Sequence, residues 1–71
     1  MNKLIGRKLG RKIKELRRKQ GITQEQLAAL IETSYKYLQR IESRNPPDVR
    51  LTTIVRLAKA LKVKPAELLR F

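Results

Sequence analysis

The sequence contains no cysteine and no histidine, and these two absences exclude several kinds of chemistry. Without cysteine there is no disulfide, and no thiolate is available as a nucleophile or a metal ligand. Without histidine there is no imidazole to activate a serine or to bind a metal ion. We therefore expect no metal, no cofactor and no enzyme activity.

Long apolar runs are also missing, since none approaches the roughly 20 residues that cross a bilayer. The N-terminus lacks the apolar stretch of a signal peptide. Only three glycines are present, too few for a glycine-rich loop that cradles phosphate. Because the chain begins with Met, we expect a complete cytoplasmic protein with no membrane segment, no evident small-molecule ligand and little room for a separate sensing domain.

Acidic residues are scarce. The chain has 6 of them and 18 lysines and arginines, which gives a net charge of +12. Residues 1–20 carry nine basic side chains and one acidic, and residues 43–71 carry seven and two. The segment between them is nearly neutral, with two basic and three acidic side chains in residues 21–42. Solubility alone needs a net charge of only ~2–8. The excess favours binding to a polyanion. In this interpretation the basic flanks bind its phosphates, and the nearly neutral segment between them contacts it specifically.

A length of 71 residues indicates one domain, residues 1–71, near the lower limit for a self-sufficient core. Gly6 and Gly10 weaken the early turns of a helix, so the sequence leaves open where the first helix starts and whether the basic N-terminal segment, residues 1–8, is flexible. Leu9, Ile13 and Leu16 recur at helical spacing, with Ile5 one turn earlier, and predict the apolar face of a first helix. The opposite side carries Arg7, Arg11, Lys14 and Arg18.

Gly21 is expected to end the first helix, because glycine adopts the backbone that follows a helix cap. Thr23 and Gln26 fit a capping box that starts a second helix. The buried side of this helix is predicted to hold Leu27, Leu30 and Ile31, with the small Ala28 where the next helix crosses. Ser34 is expected to cap a third helix, which buries Leu38 and Ile41.

Two further helices are predicted after a loop, because Pro46-Pro47 stops any helix. The fourth covers roughly Leu51 to Leu61, with Ile54, Leu57, Ala58 and Leu61 facing inward. Pro65 suits the first position of a short fifth helix. No strand pattern stands out, so the predicted fold class is all-α.

In this order and at this spacing, the segments resemble the lambda-repressor-like, Cro-type helix-turn-helix family, also called the xenobiotic-response-element family. The resemblance covers about residues 9 to 69. It rests on Leu9-Gly10, Ile13, Leu16-Arg17, Gly21-Ile22-Thr23-Gln24-Glu25-Gln26-Leu27-Ala28, Ser34, Leu38, Arg40-Ile41-Glu42, Asn45-Pro46 and Leu57-Ala58-Lys59-Ala60-Leu61. It implies a compact five-helix domain in which helices 2 and 3 form the helix-turn-helix. The implied function is a transcriptional regulator that binds specific double-stranded DNA, most simply a repressor.

The chain departs from the family pattern in two places. Glu32 stands in the turn between helices 2 and 3, where the family usually has glycine in a left-handed backbone. That backbone costs a residue with a side chain about 1–2 kcal/mol. The segment after Glu42 is about one residue longer than usual. The angle of the third helix and the contacts of residues 44–50 therefore stay open at this point.

The resemblance implies that the third helix enters the major groove with its N-terminal residues toward the bases. The residues it assigns to base contacts are Ser34, Tyr35, Lys36, Gln39 and Arg40. Lysine and arginine can pair with guanine, and glutamine with adenine. Tyr35 could instead be an ordinary surface tyrosine, and Arg40 could reach only a phosphate.

A second group is expected at DNA phosphates: Gln24, Tyr37, Ser43, Arg44, Asn45 and Arg11, with Lys14 and Arg50 as weaker candidates. Gln24 is also implied to brace the first base-contacting side chain, and Tyr37 could instead pack. Each of the others could equally be a solvated surface residue. Arg17 and Glu42 match a pair that forms a structural salt bridge in the family.

One protomer would contact few base pairs, so we expect a homodimer on an inverted repeat with half-sites about one helical turn apart. Leu68, Leu69 and Phe71 are candidates for its interface, or for closing the monomer core. Two alternatives remain: a protein-interaction module such as an antitoxin or complex subunit, and a basic RNA- or membrane-surface binder led by residues 1–8. The sequence leaves open the operator, repression versus activation, and whether the regulator belongs to a phage, a restriction-modification system or a host.

Overall fold

The computed structural model describes residues 2–71 and is built from α-helices within that range. The helices are α1 (Lys3–Lys19), α2 (Gln24–Leu30), α3 (Tyr35–Ile41), α4 (Leu51–Ala60) and α5 (Pro65–Leu68). The all-α, five-helix prediction is therefore confirmed. None of the helices in the described range is long and apolar enough to cross a membrane.

The helix starts follow the capping signals in the sequence. Thr23 and Gln26 exchange both hydrogen bonds of the predicted capping box at α2. Ser34 caps α3, where its hydroxyl oxygen accepts from the backbone N–H of Tyr37 at 3.0 Å. At α1 the side chain of Asn2 accepts from the Leu4 amide at 2.7 Å. This cap starts α1 at Lys3, so residues 3–8 belong to α1, and Met1 lies outside the described residues.

Three helices end in the same C-terminal motif, in which the chain turns through a left-handed residue. The left-handed residues are Gly21 after α1, Glu32 after α2 and Lys62 after α4, with φ angles of 69°, 55° and 59°. In each case this residue and the next donate backbone hydrogen bonds to two carbonyls of the last helical turn. Glu32 thus occupies the left-handed position that the resemblance implied, and the turn between α2 and α3 keeps its shape without glycine.

The core is formed by apolar side chains from all five helices and the loop before α4. Its buried members are Leu9, Ile13, Leu27, Ala28, Ile31, Leu38, Ile41, Val49, Ile54, Leu57, Ala58, Leu61 and Leu68. The predicted burial is wrong for two residues, since Ile5 is 44% exposed and Leu30 is 59% exposed. In α1 the inward positions of the early turns are taken by Gly6 and Gly10. In α2 the buried face is centred on Leu27, Ala28 and Ile31, which turns Leu30 toward solvent.

A close approach between α1 and the end of α3 lies at Gly10 and was not predicted. A Cβ atom on Gly10 would lie 2.3 Å from the carbonyl oxygen of Ile41, far inside van der Waals contact. Glycine therefore allows α1 to pack directly against the backbone at the end of α3. The sequence showed this residue only as one that weakens the helix, whereas its role is to fix where α3 sits on α1.

Candidate nucleic-acid interface

The side chains predicted to contact bases lie on one exposed face of α3. Tyr35, Lys36, Gln39 and Arg40 are all exposed, at positions i, i+1, i+4 and i+5 of one helix. The opposite face carries Leu38 and Ile41, both fully buried. Ser34 stands at the N-terminal end, where its oxygen accepts from a backbone amide and its hydroxyl hydrogen remains to be donated. The structure thus gathers all five residues into one polar surface.

A partly buried ion pair fixes this face relative to the rest of the protein. The Nε and Nη2 groups of Arg17 donate to the two carboxylate oxygens of Glu42 at 2.9 and 3.0 Å. The remaining Nη1 donates to the carbonyl of Ile22 at 2.9 Å. The Glu42 side chain is 2% exposed, so both of its oxygens are held away from solvent. This two-pronged pair joins α1 to the end of α3, in the geometry that makes arginine–carboxylate contacts specific.

Gln24 belongs to the same network. Its amide Nε2 donates to Glu42 at 3.0 Å, which fixes the amide plane. The free carbonyl oxygen can only accept, and a phosphate oxygen offers no hydrogen to it. A phosphate could therefore be reached only by the second amide hydrogen. The observed contact is a brace between the first turn of α2 and the end of α3.

Two residues predicted at phosphates are engaged within the protein. The Ser43 hydroxyl donates to the carbonyl of Arg40 at 2.7 Å and accepts from the amide of Asn45 at 3.2 Å. Its one hydrogen is thus used in ending α3. Tyr37 is half-buried and packs against the core. Arg11, Arg44 and Asn45 are exposed.

Arg7 was not among the predicted phosphate-contacting residues, and the structure places it beside them. Its Nε donates to the backbone carbonyl of Arg44 at 2.7 Å, across 37 residues of sequence. Arg7, Arg11 and Lys14 of α1 face Ser43 and Arg44 across a groove that we call the α1 groove, with Glu42 at its floor. The available signal was the i, i+4, i+7 spacing of the three basic residues, which puts them on one helix face.

The surface can be described by its hydrogen-bonding groups and its charges. Residues 2–71 contain no group of three or more acidic side chains that could hold a metal ion. The surface combines exposed hydrogen-bonding side chains on one rigid helix with unpaired cations beside it. Chemically, it can recognise base edges and bind phosphate.

Comparison with known proteins gives one family and several solved structures. A family model described as helix-turn-helix matches residues 13–68. The restriction-modification controller protein C.AhdI from Aeromonas hydrophila is 36% identical, with a TM-score of 0.83 over 89% of this chain and 94% of that one. Among curated protein sequences there is no significant match.

Two more distant structures share the fold. A hypothetical transcription factor from Neisseria, NHTF, is 24% identical with a TM-score of 0.87, over 99% of this chain and 80% of that one. A helix-turn-helix family transcriptional regulator from Vibrio cholerae is 19% identical with a TM-score of 0.85, over 96% of this chain and 38% of that one. At these identities the similarity supports the architecture and not a shared ligand.

Proposed function

Because this chain belongs to the helix-turn-helix family of DNA-binding transcription regulators, we propose that it represses transcription as a homodimer on an inverted-repeat operator. We propose that residues 1–71 act as one DNA-binding domain. The observation that carries the proposal is the exposed polar face of α3, held in place by the network of Arg17, Glu42 and Gln24. Regulators of this family are as a rule not enzymes.

Lys36 and Arg40 carry most of the proposed base recognition. Both are exposed cationic donors on one face, and a cationic donor pairs with the guanine acceptors of the major groove. Gln39 offers an amide to adenine, and Tyr35 offers a hydroxyl or an apolar ring edge. Ser34 adds one hydroxyl donor at the helix end that faces the groove.

The proposed phosphate contacts come from the basic residues around α3. Arg11, Arg44 and Asn45 are exposed next to the C-terminal end of that helix and support this role. For Gln24, Tyr37 and Ser43 the intramolecular contacts favour a role in holding the surface together. The basic excess outside residues 21–42 supports a salt-dependent component of binding.

The homodimer follows from the size of the recognition element. A seven-residue helix reaches only a few base pairs, so two copies are needed for useful specificity. Leu68 is fully buried in the monomer core, which favours the role of closing that core. Leu69 and Phe71 remain exposed, and Leu51 and Val55 form a second exposed apolar pair one turn apart on α4. Sedimentation of Leu69→Ser/Phe71→Ser and of Leu51→Ser/Val55→Ser variants distinguishes the two surfaces.

The regulator class that the similarity favours is the restriction-modification controller. C.AhdI is a controller of that kind, and the similarity to it extends over nearly the whole of both chains. A methyltransferase or endonuclease gene next to the gene for this chain, with the operator between them, would support this class. An operator beside unrelated host genes would contradict it.

The test is selection of bound fragments from sheared genomic and random DNA at near-physiological salt. We expect an enriched palindrome whose half-sites lie about one helical turn apart. The variant Lys36→Ala/Arg40→Ala should lose the enrichment. The control Lys59→Ala/Lys64→Ala removes the same charge from residues outside α3 and should keep it. Uniform binding of the wild-type protein to all fragments would contradict sequence-specific regulation and favour a partner-binding role.

A further inference from the structure

Five of the basic residues of α1 form two sets that differ in their contacts. On one side, the ammonium group of Lys12 lies 3.2 Å from a carboxylate oxygen of Glu67, and that of Lys8 lies 5.7 Å from the ring centre of Phe71. These two lysines are used to hold the C-terminal residues against α1. On the other side, Arg7, Arg11 and Lys14 line the α1 groove.

The cations of the α1 groove have no acidic partner in residues 2–71. The carboxylate of Glu42, the one acidic group lining the groove, already accepts from Arg17 and Gln24. Four basic side chains thus converge on one cleft: Arg7, Arg11, Lys14 and Arg44. Like charges at such spacing repel one another, and an anion between them removes the repulsion. The cleft is therefore suited to hold a negative group.

Arg7 is held in an orientation that suits this role. The Nε group of Arg7 donates to the Arg44 carbonyl at 2.7 Å, and this hydrogen bond restricts the rotation of the side chain. Its two Nη groups have no other hydrogen-bond partner in the part of the chain described. A guanidinium with both Nη groups available can bind two oxygens of a phosphate at once. The same Nε contact fixes the loop that follows α3.

We propose that the α1 groove binds a backbone phosphate of the DNA, next to the bases that α3 contacts, with Arg7 as the principal ligand. The inference rests on the proposed function, because the groove adjoins the C-terminal end of α3 through Ser43 and Arg44. Arg7 and Arg11 precede residues 13–68, the part that matches the family model. Lys14 and Arg44, which also line the groove, lie within the matched residues, so the site combines positions inside and outside that segment. It extends the contacted DNA outside the base pairs reached by α3.

The first test is the salt dependence of binding to a selected duplex and to a scrambled duplex of equal length. Each phosphate contact that is lost should reduce the slope of log K against log salt by about 1. We expect that reduction for Arg7→Gln, and a reduction of about 2–3 for Arg7→Gln/Arg11→Gln/Lys14→Gln. The matched control is Lys8→Gln, which removes the same charge from the neighbouring residue on the other side of α1 and should change the slope much less. Arg7→Lys keeps the charge and should keep most of the slope.

Ethylation of single phosphates then locates the contact. We expect one phosphate outside the base-contacted segment at which ethylation weakens DNA binding by the wild-type protein. Ethylation of the same phosphate should leave DNA binding by Arg7→Gln unchanged. An identical interference pattern for the two proteins would overturn the proposal. So would equal slopes for Arg7→Gln and Lys8→Gln, or a loss of affinity by Arg7→Gln at unchanged slope, which would make Arg7 a positioning residue only. Thermal unfolding of each variant shows that it is folded.

The two proposals fail in different ways. If the wild-type protein binds the selected and scrambled duplexes equally, sequence-specific regulation fails, while the comparison of Arg7→Gln with Lys8→Gln still decides the groove. If the wild-type protein discriminates between the duplexes but Arg7→Gln and Lys8→Gln have the same salt-dependence slope, only the proposal for the α1 groove is contradicted. Tighter binding to an RNA duplex than to either DNA, lost in Arg7→Gln, would overturn the DNA assignment of the groove.

Discussion

Replacement of Glu32 by glycine should stabilise the protein, because the turn between α2 and α3 holds a side chain where the backbone favours none. Glu32 has a φ of 55°, and its amide donates to the carbonyl of Ala29 at 3.1 Å. The next amide, of Thr33, donates to Ala28 at 2.9 Å. The motif therefore demands the left-handed conformation whatever residue occupies the position.

The magnitude follows from two opposing effects on the free energy of unfolding. A left-handed backbone costs a residue with a Cβ atom about 1–2 kcal/mol. Glycine also increases the conformational entropy of the unfolded chain, which lowers the free energy of unfolding by about 0.4–1 kcal/mol. The midpoints of these two ranges differ by about 0.8 kcal/mol, so Glu32→Gly should raise Tm by about 3–6 °C for a chain of this size.

The charge of Glu32 complicates this comparison and needs its own control. A carboxylate at the C-terminal end of α2 is disfavoured by the helix dipole. However, Arg56 and Lys59 line the same groove as Glu32 and attract it. Glu32→Gln removes the charge and keeps the side chain, so it should change the free energy of unfolding by less than about 0.5 kcal/mol. The difference between the Gly and Gln variants then measures the backbone alone.

Two other positions in the same motif complete the experiment. Lys62→Gly, after α4, should also stabilise, by less than Glu32→Gly, since lysine at a helix C-terminus is favoured by the dipole. Gly21→Ala should destabilise by about 1 kcal/mol. At Gly21 an added Cβ meets no atom within 4 Å, so the loss reports only the backbone conformation.

The assay is urea and thermal unfolding followed by circular dichroism, with the slope m checked to be unchanged. If Glu32→Gly lowers the stability while Lys62→Gly raises it, the Glu32 side chain makes a favourable interaction that outweighs its strain. If Glu32→Gly, Lys62→Gly and Gly21→Ala each change the free energy of unfolding by less than about 0.5 kcal/mol, the usual range for surface substitutions, the left-handed backbone carries no measurable strain here. Either result would refute the reasoning.

Three further predictions concern the packing of α3 and its exposed face. Gly10→Ala should destabilise by at least about 1–3 kcal/mol in urea unfolding, because its Cβ overlaps a backbone carbonyl of α3; a near-neutral result would mean that α1 can shift away. Glu42→Gln should destabilise by about 3–5 kcal/mol, because Arg17 keeps its charge beside a neutral amide; a small loss would mean that water reaches the pair. Lys36→Ala and Arg40→Ala should each weaken operator binding by ~1–3 kcal/mol in a gel-shift titration; an equal loss on scrambled DNA would make them phosphate contacts.

The start of a helix could be predicted from the sequence wherever all the residues that form its cap lie in one short segment. Thr23 and Gln26 satisfy each other's backbone donors within four residues, so the start of α2 follows from the sequence. The same is true of Ser34 at α3 and of Pro65 at the first position of α5. These interactions depend on backbone geometry alone, and neighbouring helices do not alter them.

Burial was predicted less well at the edges of the apolar faces. Spacing on a helix wheel put Ile5 and Leu30 inside, and both are exposed. The wheel fixes which residues share a face, but the position of the neighbouring helix decides how far along that face the core extends. For Leu68 the sequence left two roles open, and packing against the core decided between them.

The helices, their caps and the polar face of α3 could be predicted from the sequence, because these depend on residues within about one or two turns of one another. The sequence also shows the basic excess that favours a polyanion. Which cations have partners within the protein follows from the packing of the helices and could not be predicted. Lys12 is paired with Glu67, and Arg7 is held by the carbonyl of Arg44, across 55 and 37 residues of chain respectively, distances over which no local pattern acts. A side chain's partner is set by how the helices pack, and the packing of α1 against the end of α3 requires that position 10 carry no side chain.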